Sequence, residues 1–137
     1  MTRIIHYEKE LKALLRSQLD CVEPGLIEAD GGRERSVATG KIDITALDAN
    51  GHYVVIELKV GPCPHGALEQ VLAYTSDLED ETGQPCRAVL VASDFSARLR
   101  SAAKRARGID LVEYEVSGMG RAGKTGSAPI PGSSHPQ

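Results

Sequence analysis

GKIDITALDANGHYVVIELKV, which spans residues 40–60, is the stretch that indicates how this chain folds. Gly40–Leu47 alternates apolar and polar residues, and Tyr53–Val60 is rich in β-branched residues, so both halves are typical of β-strands. The intervening Asp48–Gly51 carries Asn-Gly, and both of these residues tolerate the positive φ that a tight turn requires. The stretch therefore predicts a β-hairpin.

The register of this hairpin would bring its charged residues together. A three-residue loop, residues 49–51, sets Asp43 directly opposite Glu57, and Lys59 shares a face with Glu57 because side chains alternate along a strand. Two carboxylates and an ammonium among Val, Ile and Leu are costly to bury unless they are paired, solvated or bound to a cation. The apolar residues expected on the opposite face are Ile42, Ile44, Ile56 and Leu58.

Two interpretations of this charged triplet are open. A divalent metal held by two carboxylates, with a lysine beside it, would explain the pattern economically. The alternative is the polar face of an ordinary antiparallel sheet, on which Asp, Glu and Lys form a cross-strand ion pair.

Length and composition limit the class of protein. A chain of 137 residues is long enough for one domain with its own core, and its net charge of −3 gives no global attraction to nucleic acid, although a basic patch would suffice. The three cysteines are odd in number, which argues against a disulfide framework or zinc site and favours a reducing, cytoplasmic setting. No apolar run approaches the roughly 20 residues of a membrane span, and no signal peptide is evident, so no membrane partner is expected.

Helices and strands are predicted on both sides of the hairpin, in the order α-β-β-β-α-β-α-β. This order predicts an α+β (mixed α/β) fold in which helices flank a central mixed sheet. Helices are expected at residues 5–19, 67–81 and 96–107, and strands at residues 26–37 (interrupted at 30–32), 87–92 and 109–116. Residues 117–137 are rich in Gly, Ser and Pro and are expected to form a disordered tail.

Two groups of basic residues could contact phosphates. The helix at 96–107 holds five cations and no anion, and Arg33 and Arg35 share a face if their segment is extended. In both places the alternative is a solvated surface. The candidate DNA-binding residues are Arg33, Arg35, Arg98, Arg100, Lys104 and Arg105.

Several motifs together resemble the PD-(D/E)XK nuclease superfamily. They are Gly40–Ile44, then Val55–Lys59, then Gln70 and Tyr74, which lie four apart and hence on one side of a helix. Within that superfamily the pattern resembles the catalytic domain of the NucS-type endonucleases, and the resemblance covers residues 6–116.

The resemblance implies a restriction-endonuclease-like core over residues 1–116. It further implies a metal-dependent DNA endonuclease that hydrolyses phosphodiester bonds with Mg²⁺ or Mn²⁺, in DNA repair or defence. The implied metal ligands are Asp43, Glu57, the Leu58 carbonyl and Glu10. The implied catalytic residues are Asp43, Glu57, Lys59, Gln70, Tyr74 and Glu10.

Three alternatives stay open beside this interpretation. The carboxylate from the first helix could be Glu8 instead of Glu10. The substrate could be single-stranded, duplex or branched DNA, the last being typical of a small resolvase-like nuclease, and a homodimer is expected by analogy. Finally, the chain could be a non-catalytic module that binds nucleic acid or protein through the same fold.

Overall fold

The computed structural model describes the backbone of residues 2–115 and the side chains of residues 8–115. The predicted tail at residues 117–137 lies outside the described residues. The helices are α1 (Thr2–Ser17), α2 (Ala67–Thr82) and α3 (Ala97–Arg105). The strands are β1 (Ile27–Glu28), β2 (Arg35–Val37), β3 (Gly40–Ile42), β4 (Ile44–Leu47), β5 (Tyr53–Leu58), β6 (Arg87–Ala92) and β7 (Ile109–Glu113).

Five strands form a mixed sheet in the order β1-β4-β5-β6-β7, and β2 and β3 form a separate two-stranded sheet. Pairing is antiparallel from β1 to β5 and parallel from β5 to β7. The parallel strands need crossover connections, which α2 and α3 supply. The predicted mixed α+β fold is confirmed. Within the described backbone, no helix is long and apolar enough to span a bilayer.

The predicted hairpin register is confirmed. Ile44 lies opposite Ile56, and Leu47 lies opposite Tyr53. The loop closes through a hydrogen bond from the Asp48 N–H to the His52 carbonyl, 2.9 Å long. Gly51 has a φ of +83°, a conformation that a residue with a Cβ rarely adopts. Continued by one step, this register sets Asp43 opposite Glu57.

The strand predicted at Gly40–Leu47 is broken at Asp43, which belongs to neither β3 nor β4. β3 pairs with β2, whereas β4 pairs with β5, so the chain changes partner at this residue. The break also changes which way the side chains point. Ile42 packs with Val55 instead of with Ile44, and the prediction that it shares the Ile44 face is therefore wrong.

The sheet buries both of its faces. Leu11 and Leu15 of α1 pack on one face, together with Ile56 and Leu58 of β5. On the other face Val71, Tyr74 and Leu78 of α2 pack with Val55 and Leu90, and Leu99 of α3 joins this cluster. Because apolar side chains cover both faces of β5, a charged side chain near its end is enclosed by protein.

Candidate active site

Asp43 and Glu57 meet where the chain leaves β3. The Leu58 N–H donates to Asp43 Oδ2 over 2.9 Å, and the Asp43 N–H lies 3.4 Å from Glu57 Oε1. The Asp43 carboxylate is thus bonded to the backbone of β5, and the Glu57 carboxylate accepts from the backbone of Asp43. Glu57 is only 4% exposed, which is rare for a carboxylate.

Burial changes the acidity of Glu57. Burial first, and then the neighbouring Asp43 carboxylate, raise the pKa of Glu57 to about 8, although Lys59 opposes this shift. The Lys59 ammonium lies 3.8 Å from Glu57 Oε2. Glu57 is therefore a buried acid that needs a proton or a cation beside it.

A side chain of α2 fixes the position of Lys59. Its ammonium donates to Gln70 Oε1 over 2.8 Å. One turn further along α2, Tyr74 is buried, and its hydroxyl interacts with the Lys41 backbone and the Gln70 side chain. Burial, and then the charge of Glu57, raise the pKa of the Tyr74 hydroxyl. The structure thus brings Asp43, Glu57, Lys59, Gln70 and Tyr74 into one cluster.

Gly40 makes room for Tyr74. A Cβ at this glycine would lie 2.6 Å from the tyrosine oxygen and 2.7 Å from a ring carbon, both well inside van der Waals contact. The absence of a side chain at position 40 therefore lets the tyrosine reach the cluster.

Two cations of α1 also reach the cluster, and the sequence analysis missed both. Lys12 Nζ lies 3.1 Å from Asp43 Oδ1 and 3.1 Å from Glu34 Oε2. Burial lowers the pKa of Lys12, but the two carboxylates outweigh it and the net shift is upward. Arg16 donates to the Asp43 carbonyl over 2.9 Å and pairs with Glu28. The signal in the sequence was their spacing, because they lie four residues apart beside the apolar stripe of α1.

The carboxylate expected from α1 is not part of a described cluster. Among residues 8–115 no group of three or more His, Cys, Asp or Glu side chains is arranged to hold a metal. Glu10 is exposed and Glu8 is half-buried. Glu8 lies one helical turn before Lys12, about 40° away around the helix, whereas Glu10 is about 160° away.

The donors of the site fit a hard divalent cation. Asp43, Glu57 and the Leu58 carbonyl supply only oxygen atoms, and Mg²⁺ binds one or two carboxylates while keeping several waters. Burial, and then the charge of Asp43, raise the pKa of Glu57, and a cation would offset both the cost of burying the carboxylate and its repulsion from Asp43. The residues present are consistent with the expected Mg²⁺ or Mn²⁺.

The candidate DNA-binding cations divide into two sets. Arg35 pairs with Asp30 and Glu81, and Arg100 pairs with Glu113, so both are engaged within the protein. The other four are exposed: Arg33, Arg98, Lys104 and Arg105.

A groove of about 310 Å³ lies beside the cluster, between the loop that follows β5 and helix α3. Cys63, His65 and Glu69 line one side, and Arg98 and Leu99 line the other. Glu69 precedes Gln70 in α2, and Gln70 contacts Lys59, so the groove adjoins the cluster. Burial raises the pKa of the Cys63 thiol, although the charge of Lys59 opposes this shift. The two walls are joined by a hydrogen bond of 2.9 Å from the Cys63 N–H to the Asp94 carbonyl.

Comparison with known proteins is consistent with this geometry. The chain is 34% identical to endonuclease NucS of Thermococcus kodakarensis over 98 residues, covering 72% of this chain and 36% of that protein. It is 30% identical to endonuclease NucS of Methanopyrus kandleri over 93 residues, covering 68% of this chain and 35% of that protein. The chain thus spans about a third of the length of these relatives.

Solved structures that resemble this chain also include a repair endonuclease and a DNA complex. A repair endonuclease from Pyrococcus abyssi superposes with a TM-score of 0.69 at 25% identity, covering 77% of this chain and 46% of that chain. A complex of EndoMS with double-stranded DNA superposes with a TM-score of 0.66 at 28% identity, covering 76% of this chain and 42% of that chain. Residues 7–125 match the model of the endonuclease NucS C-terminal domain. The chain therefore belongs to the endonuclease NucS C-terminal domain family.

Proposed function

We propose that this chain is a DNA endonuclease of the PD-(D/E)XK type that hydrolyses phosphodiester bonds with Mg²⁺ or Mn²⁺. The observation that carries the proposal is the buried Glu57 beside Asp43, with Lys59 held against Gln70 at 2.8 Å. A buried carboxylate next to a partly buried one, with a restrained lysine beside them, costs stability unless the group serves a cation and a reacting group. The names of the relatives, which are endonucleases, support the same conclusion.

Each residue of the cluster would have a distinct part. Asp43, Glu57 and the Leu58 carbonyl would hold the metal, which, when bound, lowers the pKa of a water and offsets charge on the phosphate. Lys59, held by Gln70, would orient the attacking water or donate to the phosphate oxygen that gains charge. Tyr74 would maintain the position of Gln70 from the next turn of α2.

For the carboxylate from α1 we propose Glu8 as the better candidate. It lies on the side of the helix that carries Lys12, whose ammonium contacts Asp43. Glu10 lies on a different side, so it would need a change in α1 to approach Asp43. A Glu8→Gln variant should therefore weaken metal binding more than Glu10→Gln does.

The groove beside the cluster would carry the DNA backbone away from the cleaved bond. Arg98 lines it, and Arg105 lies seven residues along α3, on the same helical face. We expect Arg98→Ala with Arg105→Ala to weaken DNA binding and to reduce its salt dependence, because both charges act on phosphates. Lys104→Ala with Arg107→Ala, which also removes two exposed charges but none from the groove, is the matched control. Equal losses in the two proteins would contradict this path.

The central experiment measures metal binding and cleavage on the same proteins. Mn²⁺ is titrated calorimetrically into the wild type, Asp43→Asn and the exposed control Asp80→Asn. Cleavage of labelled single-stranded, duplex and branched DNA is then compared. The proposal expects Asp43→Asn to lose both metal binding and cleavage, and Asp80→Asn to retain both.

Other outcomes select the alternatives. DNA binding without cleavage of any substrate would make the chain a non-catalytic module, and cleavage restricted to branched DNA would favour a resolvase-like nuclease. A role in DNA repair and a homodimer are further parts of the proposal that rest on resemblance to the relatives. A cytoplasmic location is also proposed, and it rests on the three cysteines, which are odd in number.

A further inference from the structure

Both carboxylate oxygens of Asp43 already have a partner within the protein. Oδ2 accepts from the Leu58 N–H at 2.9 Å, and Oδ1 lies 3.1 Å from the Lys12 ammonium. Each oxygen keeps a second lone pair for a cation, but a cation bound at Oδ1 would lie close to the Lys12 ammonium and be repelled by its like charge. The Leu58 N–H is fixed by β5, whereas the Lys12 ammonium sits at the end of a flexible side chain. Lys12 is thus the partner that can leave.

The helix that carries Lys12 is firmly anchored. Leu11 and Leu15 are 3% and 0% exposed against the sheet. Arg16 fastens the same side of the helix through its bonds to the Asp43 carbonyl and to Glu28. Lys12 would therefore leave Asp43 by rotating its own side chain, without movement of α1.

A second acceptor for Lys12 is already in place. Glu34 Oε2 lies 3.1 Å from the ammonium, and the Glu34 side chain is 42% exposed, so it stays next to solvent. Lys12 can release Asp43 and keep one carboxylate partner. The exchange would leave no buried charge without a partner, so it would avoid the large free-energy cost of an unpaired buried charge.

We propose that Lys12 is a built-in counter-ion of the metal site, which the incoming divalent cation displaces from Asp43 onto Glu34. This inference rests on the proposed metal-dependent function and concerns the regulation of the same site. Lys12 stabilises the metal-free protein and weakens metal binding. Competition from Lys12 therefore raises the metal concentration that is needed to fill the site.

Lys12→Met removes the charge but keeps the apolar stem of the side chain. Mn²⁺ titration of this variant should show about tenfold tighter binding, because removal of one neighbouring positive charge is worth roughly one power of ten at a partly buried site. The same variant should unfold at a lower temperature in EDTA, since Asp43 loses its counter-ion. Lys104→Met, an equal charge change on exposed α3, should alter neither quantity.

Glu34→Gln tests the second acceptor and does not depend on the first variant being stable. It should weaken Mn²⁺ binding, because Lys12 then keeps Asp43 as its sole carboxylate partner. In the Lys12→Met background the same change should have little effect, since its action passes through Lys12. If the two changes simply add, the exchange is refuted.

The outcomes separate this inference from the proposed function. Unchanged or weaker Mn²⁺ affinity in Lys12→Met, with normal binding by the wild type, overturns the counter-ion role alone. Absence of Mn²⁺ binding by the wild type and every variant overturns the metal-dependent function, and the inference with it.

Discussion

Glu57→Gln should make the metal-free protein more stable at alkaline pH while abolishing its proposed activity. The change replaces a carboxyl group that is 4% exposed by an amide of the same shape. The amide oxygen can still accept the N–H of Asp43, as Glu57 Oε1 does at 3.4 Å. It carries no charge, so the cost of burying a carboxylate beside another carboxylate disappears.

The size of the effect follows from the acidity of Glu57. Its pKa is 4.5 in a model compound and about 8 in the folded protein. Between these values the folded state binds more protons than the unfolded state, so the free energy of unfolding falls as pH rises. Each pH unit is worth about 1.4 kcal/mol. Across roughly 3.5 units the loss is at most about 5 kcal/mol, and it is complete above pH 8.

Urea unfolding in EDTA from pH 5 to pH 9 measures this effect. The wild type and Glu57→Gln should have similar stability near pH 5, and the variant should lead by at least about 2 kcal/mol at pH 9. Glu69→Gln, an exposed carboxylate on α2, should follow the wild-type curve. Parallel curves for the wild type and Glu57→Gln would refute the assignment of Glu57 as a buried, crowded acid.

Three further predictions concern the same residues and their support. Mn²⁺ binding at pH 7 should release a proton, because Glu57 must ionise to act as a ligand. Calorimetry in buffers of different ionisation enthalpy measures the number of protons released, and no release would contradict the raised pKa of Glu57. Arg87→Ala should lower the free energy of unfolding, since Arg87 pairs with both Glu23 and Asp48, and Arg87→Lys should recover only part of this loss in urea unfolding. Gly40→Ala should slow cleavage severalfold by displacing Tyr74, and a smaller effect in a Tyr74→Ala background would confirm that route.

The sequence predicted those features that depend on neighbouring residues. The hairpin register follows from one local turn, because Gly51 and Asn50 can adopt conformations that most residues avoid. Once the loop length is known, alternation along the strands sets Asp43 against Glu57. The helices and the parallel strands carry their own apolar periodicity, and they were therefore predicted to within a few residues of their observed ends.

The change of strand pairing at Asp43 could not be predicted from local sequence patterns. Residues 40–47 alternate as one strand would, yet β3 joins β2 and β4 joins β5. Which strand a segment pairs with depends on residues distant in sequence. For that reason the face of Ile42 was predicted wrongly. The contacts of Tyr74 with Gly40 and with the Lys41 backbone were not predicted either.

The sequence by itself determined that two carboxylates and a lysine lie together on one hairpin. Only the tertiary structure decided what surrounds them. The packing of α2 buries Glu57 and brings Gln70 to Lys59, and the packing of α1 brings Lys12 to Asp43. The physical reason is that burial and charge neighbours act through space. The acidity of Glu57 and the counter-ion of Asp43 are therefore set by helices that dock from elsewhere in the chain.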